Sequence, residues 1–209
     1  MTGDLNPEFT GVPRGGVPMH AVVIGASAGG PGVVERILAE LPADFPVPVA
    51  VCQHTMEGRT GPWARRLDES CAVSVCEAEH NQYFERGRVH IAPAGRHMRL
   101  RSTPGGVRIT LAEDFADSLF VPSIDYLMSS ASVVYGSRLL AVLLTGMCTD
   151  GALGMLGVHR AGGLTIAQTE ESSAFSSMPR AAADLGAVAE SVSLERMAGT
   201  IVQRVSATA

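Results

Sequence analysis

Ala21-Val22-Val23-Ile24-Gly25-Ala26-Ser27-Ala28-Gly29-Gly30-Pro31 decides how the chain is read. A short β-branched run passes into small residues and glycines. A proline then sits where a first helical turn tolerates a missing amide donor. Strand, tight turn and helix follow in that order, and the pattern recurs down the chain. Ala21–Ile24 precedes a helical period over 31–41, and Val47–Cys52 precedes Pro62–Ser70. Leu139–Leu144 precedes Ala152–Ala161, Leu164–Ala167 precedes Pro179–Leu185, and Ala187–Ala189 precedes Leu194–Val205. Strands that alternate with helices predict βαβ units and an α/β, doubly wound, mostly parallel sheet flanked by helices.

Between these units, Val89–Ala92, Met98–Ser102 and Val107–Leu111 are strand-like. Thr103-Pro104-Gly105-Gly106 separates the last two as a hairpin turn would, so an antiparallel β-hairpin at one edge of the sheet is expected. Gly162-Gly163 follows its helix as a left-handed cap. Residues 1–18 hold several Gly and Pro without periodic apolar pattern and read as a disordered tail, a linker or an expression remnant. One domain over 19–209 is expected.

At 209 residues the chain is long enough to bury roughly 70% of its unfolded surface and hold a rigid site without staples. A net charge of −5, no run of basic residues and only 5% aromatics give no footprint for nucleic acid. No apolar run approaches the ~20 residues of a membrane span, and no signal pattern opens the chain. Cys52, Cys71, Cys76 and Cys148 lack Cys-x-x-Cys spacing and read as reduced thiols in a soluble, cytoplasmic protein. The histidines and carboxylates show no ligand spacing such as His-Glu-x-x-His, so neither a metal nor an organic cofactor is expected.

Loops leaving the carboxyl ends of parallel strands gather on one edge, where distant residues meet. Three loops there offer Ser27, His54 and Asp150. Ser27 lies in Gly25-x-Ser27-x-Gly29, a nucleophile-elbow pattern in the strand-turn-helix context it needs. It could equally cap the next helix, or the glycines could cradle a phosphate. A dinucleotide site would want an acidic residue near the end of the second strand, and Cys52-Gln53-His54 stands there instead. His54 could accept the Ser27 proton if a third group fixed its other nitrogen, although single histidines are mostly structural. Asp150 could be that group, or the N-cap of the helix beginning near Gly151. The order serine, histidine, aspartate disfavours the ordinary α/β-hydrolase, which runs serine, acid, histidine.

Taken together, Val23–Gly30, Gln53-His54, Glu77-Ala78-Glu79, Ile91-Ala92-Pro93 with His97-Met98, Pro122-Ser123-Ile124-Asp125, Leu144–Met147 with Asp150-Gly151, and Met178-Pro179-Arg180 resemble the catalytic domain of bacterial chemotaxis protein-glutamate methylesterases, the CheB type. The likeness spans about residues 20–205. It implies a serine hydrolase acting on glutamate methyl esters of methyl-accepting chemoreceptor cytoplasmic helices, often with deamidation of receptor glutamines. It implies Ser27 as nucleophile, His54 as base and Asp150 as its orienting carboxylate, with the Ala28 and Met147 amides as oxyanion donors. Ala28 stands where many members have Thr, and Val121 where an arginine commonly precedes Pro-Ser. The family usually carries an amino-terminal receiver of roughly 120 residues, which residues 1–18 cannot hold, so phosphodonor control in cis is expected to be missing and a separate regulator is a candidate partner. Two other readings share these residues: a catalytically idle signalling scaffold, and an esterase on an unrelated small substrate.

Overall fold

The computed structural model describes residues 19–113 and 119–206; the expected tail at 1–18 lies outside them. Nine strands and six α-helices follow one another among the described residues. The first half runs β1 (Ala21–Ala26), α1 (Gly30–Ala39), β2 (Val49–Gln53), α2 (Thr60–Ser70), β3 (Ser74–Glu77), β4 (Arg88–Ile91), β5 (His97–Thr103) and β6 (Gly106–Ala112). The second runs α3 (Ile124–Tyr135), β7 (Leu139–Leu143), α4 (Ala152–Arg160), β8 (Leu164–Gln168), α5 (Ser177–Asp184), β9 (Glu190–Val192) and α6 (Leu194–Ser206).

Seven strands form one sheet in the order β3-β4-β2-β1-β7-β8-β9, and every neighbouring pair in it is parallel. Alternate side chains of β1 go to opposite faces, as a pleated strand requires. Val22, Ile24 and Ala26 join the core beneath α1, α2 and α6, whereas Ala21 and Val23 join the one beneath α3, α4 and α5. Burial on both faces is why these strands read as continuous apolar runs. Pro31 falls in the first turn of α1, and Gly162, at φ 81°, ends α4 through its N–H to His159 and the Gly163 N–H to Val158.

The hairpin forms where expected but does not extend the sheet. β5 and β6 make a separate antiparallel pair, and β3 and β9 are the two edge strands of the main sheet. Its apolar residues Met98, Leu100 and Ile109 pack with Leu127, Met128 and Ala131 of α3 instead. The last strand also differs: Glu190–Val192 pairs with β8, while 187–189 is the approach to it. Ala187 is buried in the core all the same, which is why its run is apolar without being a strand.

Candidate active site

The topology puts three loops side by side. β1 lies between β2 and β7, and successive connections depart in opposite directions from this centre, leaving a crevice at the carboxyl edge. Ser27 follows β1, His54 follows β2, and Asp150 closes the loop after β7. The β1–β2 register pairs Ala26 with Gln53, so Ser27 and His54 leave the sheet at the same height. Backbone bonds hold them there: His54 N–H donates to Ala26 at 3.1 Å, and Ser27 N–H donates to Thr145 at 3.0 Å.

Gln53 adds a clamp that the sequence did not disclose. Its amide group donates to the carbonyls of both Ser27, at 2.8 Å, and His54, at 2.9 Å. Gly30 makes room for it, since a Cβ there would lie 2.1 Å from Gln53 Oε1. Gly146 permits a second close approach, because a Cβ at that position would lie 1.8 Å from Met178 Sδ and 2.8 Å from Ser27 Cβ. The Thr145–Met147 loop therefore abuts the serine.

The three side chains meet in a line. Ser27 Oγ is 3.2 Å from His54 Nδ1, and His54 Nε2 is 2.8 Å from Asp150 Oδ2. A proton on Nε2 donated to the carboxylate leaves the Nδ1 lone pair facing the hydroxyl, the arrangement a general base requires. Phe120 stacks on the imidazole at 4.6 Å with planes 2° apart and so limits its rotation. Burial lowers the basicity of His54, but the Asp150 hydrogen bond and charge, with the Cys148 contact, outweigh it and raise the pKa to about 9. Burial would raise the Asp150 carboxyl, and the His54 bond together with backbone N–H donors holds it below its ordinary value instead.

Asp150 is indeed a helix cap, but of a different helix. Its Oδ2 accepts from Ile124 N–H at 2.7 Å and its Oδ1 from Asp125 N–H at 3.0 Å, both in the first turn of α3. The Ser123 hydroxyl donates to Oδ1 at 3.0 Å. At the start of α4 the N-cap is Gly151, which has no side chain to contribute. The carboxylate thus caps and orients at once.

Among the described residues, neither the Ala28 N–H nor the Met147 N–H donates a hydrogen bond within the chain. Ala28 follows Ser27 itself, and Met147 follows Gly146, the residue that abuts the serine. Cys148 Sγ lies 3.8 Å from His54 Nδ1, the nitrogen that also faces Ser27. A shallow hollow of about 390 Å³, lined by Leu119, Phe120, Tyr126 and Leu153 among others, opens beside Asp150. Among the described residues no three His, Cys, Asp or Glu side chains converge to hold a metal. No helix among them is long and apolar enough to cross a membrane.

The family model for CheB methylesterase matches residues 22–201. A protein-glutamate methylesterase/protein-glutamine glutaminase of Oleidesulfovibrio alaskensis is 40% identical over 192 residues, which is 91% of this chain and 52% of that protein. The protein-glutamate methylesterase FrzG of Myxococcus xanthus is 42% identical over 186 residues, 89% of this chain and 55% of its own length. The chain spans about half the length of these curated relatives. Among solved structures, the catalytic domain of Thermotoga maritima CheB methylesterase superposes with a TM-score of 0.86 at 33% identity, covering 90% of this chain and 99% of that one.

Proposed function

The chain belongs to the CheB methylesterase family, and we propose that it is a serine hydrolase that removes methyl esters from glutamate side chains of chemoreceptor cytoplasmic helices. The observation that carries the reading is the unbroken line from Ser27 Oγ through the His54 ring to Asp150, with contacts of 3.2 and 2.8 Å. In this scheme Ser27 Oγ attacks the ester carbonyl as its proton passes to His54 Nδ1. The carbonyl oxygen becomes an oxyanion within reach of the Ala28 and Met147 amides. The imidazolium, balanced by Asp150, returns the proton to the departing methoxide, and methanol leaves. Water, deprotonated by the same nitrogen, then hydrolyses the acyl-serine to free glutamate and restores Ser27. With a glutamine amide the same steps release ammonia, so deamidation needs no further group.

The surroundings favour an ester carried on a protein over a free small ester. Met56, Leu119, Met147, Leu153 and Phe175 are all exposed. Met56 follows His54 by two residues, Leu119 and Leu153 line the hollow beside Asp150, and Phe175 is hydrogen-bonded through its backbone to Thr145 and Gly146. An apolar rim about an open site suits a macromolecular surface. The site of action we propose is the cytoplasm, where the receptor helices lie.

The test is release of methanol from methylated receptor, with Ser27→Ala as control, alongside labelling by a fluorophosphonate. Labelling at Ser27 with no methanol released would leave an esterase of other specificity. No labelling and no release would leave the scaffold.

A further inference from the structure

Asp125 takes no part in the reaction as drawn, yet it is bound up with the residue that orients the base. It stands in the first turn of α3, beside the N-terminus of α4. Its Oδ1 accepts from Gly151 N–H at 2.9 Å and from Gly154 N–H at 2.6 Å. These are first-turn donors of α4, which no side chain of its own N-cap can satisfy. In return Asp150, at the start of α4, accepts from the first-turn amides of Ile124 and Asp125 in α3. Each aspartate caps the helix that begins beside the other.

The exchange is close-packed. A Cβ at Gly154 would lie 2.7 Å from Met128 Cβ and 3.1 Å from the Asp125 Cα, so glycine is what lets the two helices approach. Gly151 turns the chain at φ 94°, a left-handed conformation, between Asp150 and the helix. Asp125 grips the amide of this turning residue, one position from the carboxylate that must meet His54 at 2.8 Å. Burial raises the Asp125 carboxyl to about 6 despite its amide donors, and the Asp150 charge adds to the rise. A second buried carboxylate next to Asp150 is thus an unfavourable arrangement taken by itself. What it supplies is a fixed α4 N-terminus.

We propose that Asp125 is a positioning residue for hydrolysis: by holding the Gly151 and Gly154 amides it fixes the Asp150 carboxylate against His54 Nε2. The kinetic part rests on the function proposed above. A displacement of about 1 Å can cost about 10²-fold in rate, and that is the loss in kcat expected of Asp125→Ala with KM for a small ester little changed. Asp125→Asn keeps a carbonyl oxygen able to accept both N–H groups and restores most of the rate.

The decisive measurement is a cycle with Asp150→Asn. If Asp125 acts through Asp150, then Asp125→Ala costs nothing further once Asp150 is replaced. The same fold-loss in both backgrounds, or a loss confined to KM, overturns the proposal. Should Asp125→Ala fail to fold, Asp125→Glu, which displaces the carboxylate by one methylene, enters the same cycle and is judged by the same outcomes. A second readout needs no substrate: the proton NMR resonance of His54 Nε2–H. It should shift or broaden in Asp125→Ala and persist in Asp125→Asn. If these shifts occur while the wild type hydrolyses no ester, the positioning role stands and the proposed activity falls. If the wild type is active and both kcat and the resonance ignore Asp125, the positioning role falls alone.

Discussion

Replacing Asp150 by Asn should alter the rate by an amount that grows with pH. In the folded chain His54 has its pKa raised from 6.5 to about 9, equivalent to roughly 3 kcal/mol. The imidazole must be neutral to accept the Ser27 proton. At pH 7, two units below about 9, about 1% of molecules hold it neutral, so the wild-type rate should climb tenfold per pH unit until it levels near pH 9. Asp150→Asn removes the larger of the raising influences and leaves the ring buried, so the pKa falls back toward its ordinary 6.5, where most molecules would be neutral at pH 7. That change returns about 10² in available base, whereas mis-set tautomer and orientation cost about 10⁴. The variant should therefore trail the wild type by about 10²-fold at pH 7 and about 10⁴-fold at pH 10, the full catalytic defect appearing only where both bases are neutral. The assay is kcat/KM for methanol release between pH 5.5 and 10.5, divided by the folded fraction from circular dichroism at each pH. A wild-type limb near 6.5, or a ratio of the two enzymes that does not change with pH, would refute the claim that Asp150 sets the basicity of His54.

Ser27→Ala should remain folded and lose turnover by about 10⁶, read as methanol release per folded molecule; near-normal activity would remove Ser27 from the reaction. Alkylating Cys148 should inhibit, because its sulfur sits 3.8 Å from His54 Nδ1, and Cys148→Ala should be both active and resistant; full labelling with undiminished rate would show the loop tolerates the adduct. Cys148→Ala should also move the pH limb downward, by less than Asp150→Asn does, since the thiol contact helps raise the His54 pKa. Stability should follow the same group: His54 has a raised folded pKa, so its contribution is fully present below about 6.5 and is lost as pH climbs to about 9. Urea melts at pH 6 and 10 should show the wild type losing more stability than His54→Phe over that interval, and equal losses would contradict the shift. Gly146→Ala should cost about 1–3 kcal/mol or more by overpacking, because its Cβ would fall 1.8 Å from Met178 Sδ, and should lower activity by pushing on Ser27; a melt unchanged from wild type would refute that contact.

Legibility in the sequence followed the range of each interaction. β1, β2, β7 and β8 were readable because strands buried on both faces must be apolar at nearly every position, a signal contained within five or six residues. The carboxyl ends of those strands then located Ser27, His54 and Asp150 without any knowledge of contacts. Helix α3 went unread for another reason: its buried Ile124, Leu127, Met128 and Ala131 do keep helical spacing, but three serines, Ser129, Ser130 and Ser132, and the exposed apolar Val133 lie between and after them and blur the contrast between its faces. Gln53 as a backbone clamp, Phe120 as a stacking partner and Ser123 as a donor to Asp150 were invisible for a different reason. Each reaches a partner 26 or more positions away, Gln53 through its bond to Ser27, and carries no local pattern. The independence of the hairpin was also a long-range matter, since its apolar side chains pack on α3, which follows it in the chain, and not on an edge of the sheet.

Asp150 shows why some alternatives posed by a sequence are not alternatives in the fold. A carboxylate just before a helix invites a choice between capping and catalysis. Here one carboxylate accepts from two first-turn amides, a hydroxyl and the imidazole. Two oxygens offer about four lone-pair directions, so a fully used Asp can serve structure and chemistry together. The helix it caps is α3 and the helix it precedes is α4, so losing it should loosen the junction of both as well as release His54. Destabilisation on mutating Asp150 therefore cannot argue against a catalytic role, nor can a lost rate argue against a cap. Only rate per folded molecule, followed across pH, separates the two contributions, because capping of α3 does not depend on the protonation state of His54 whereas the proposed proton transfer from Ser27 does.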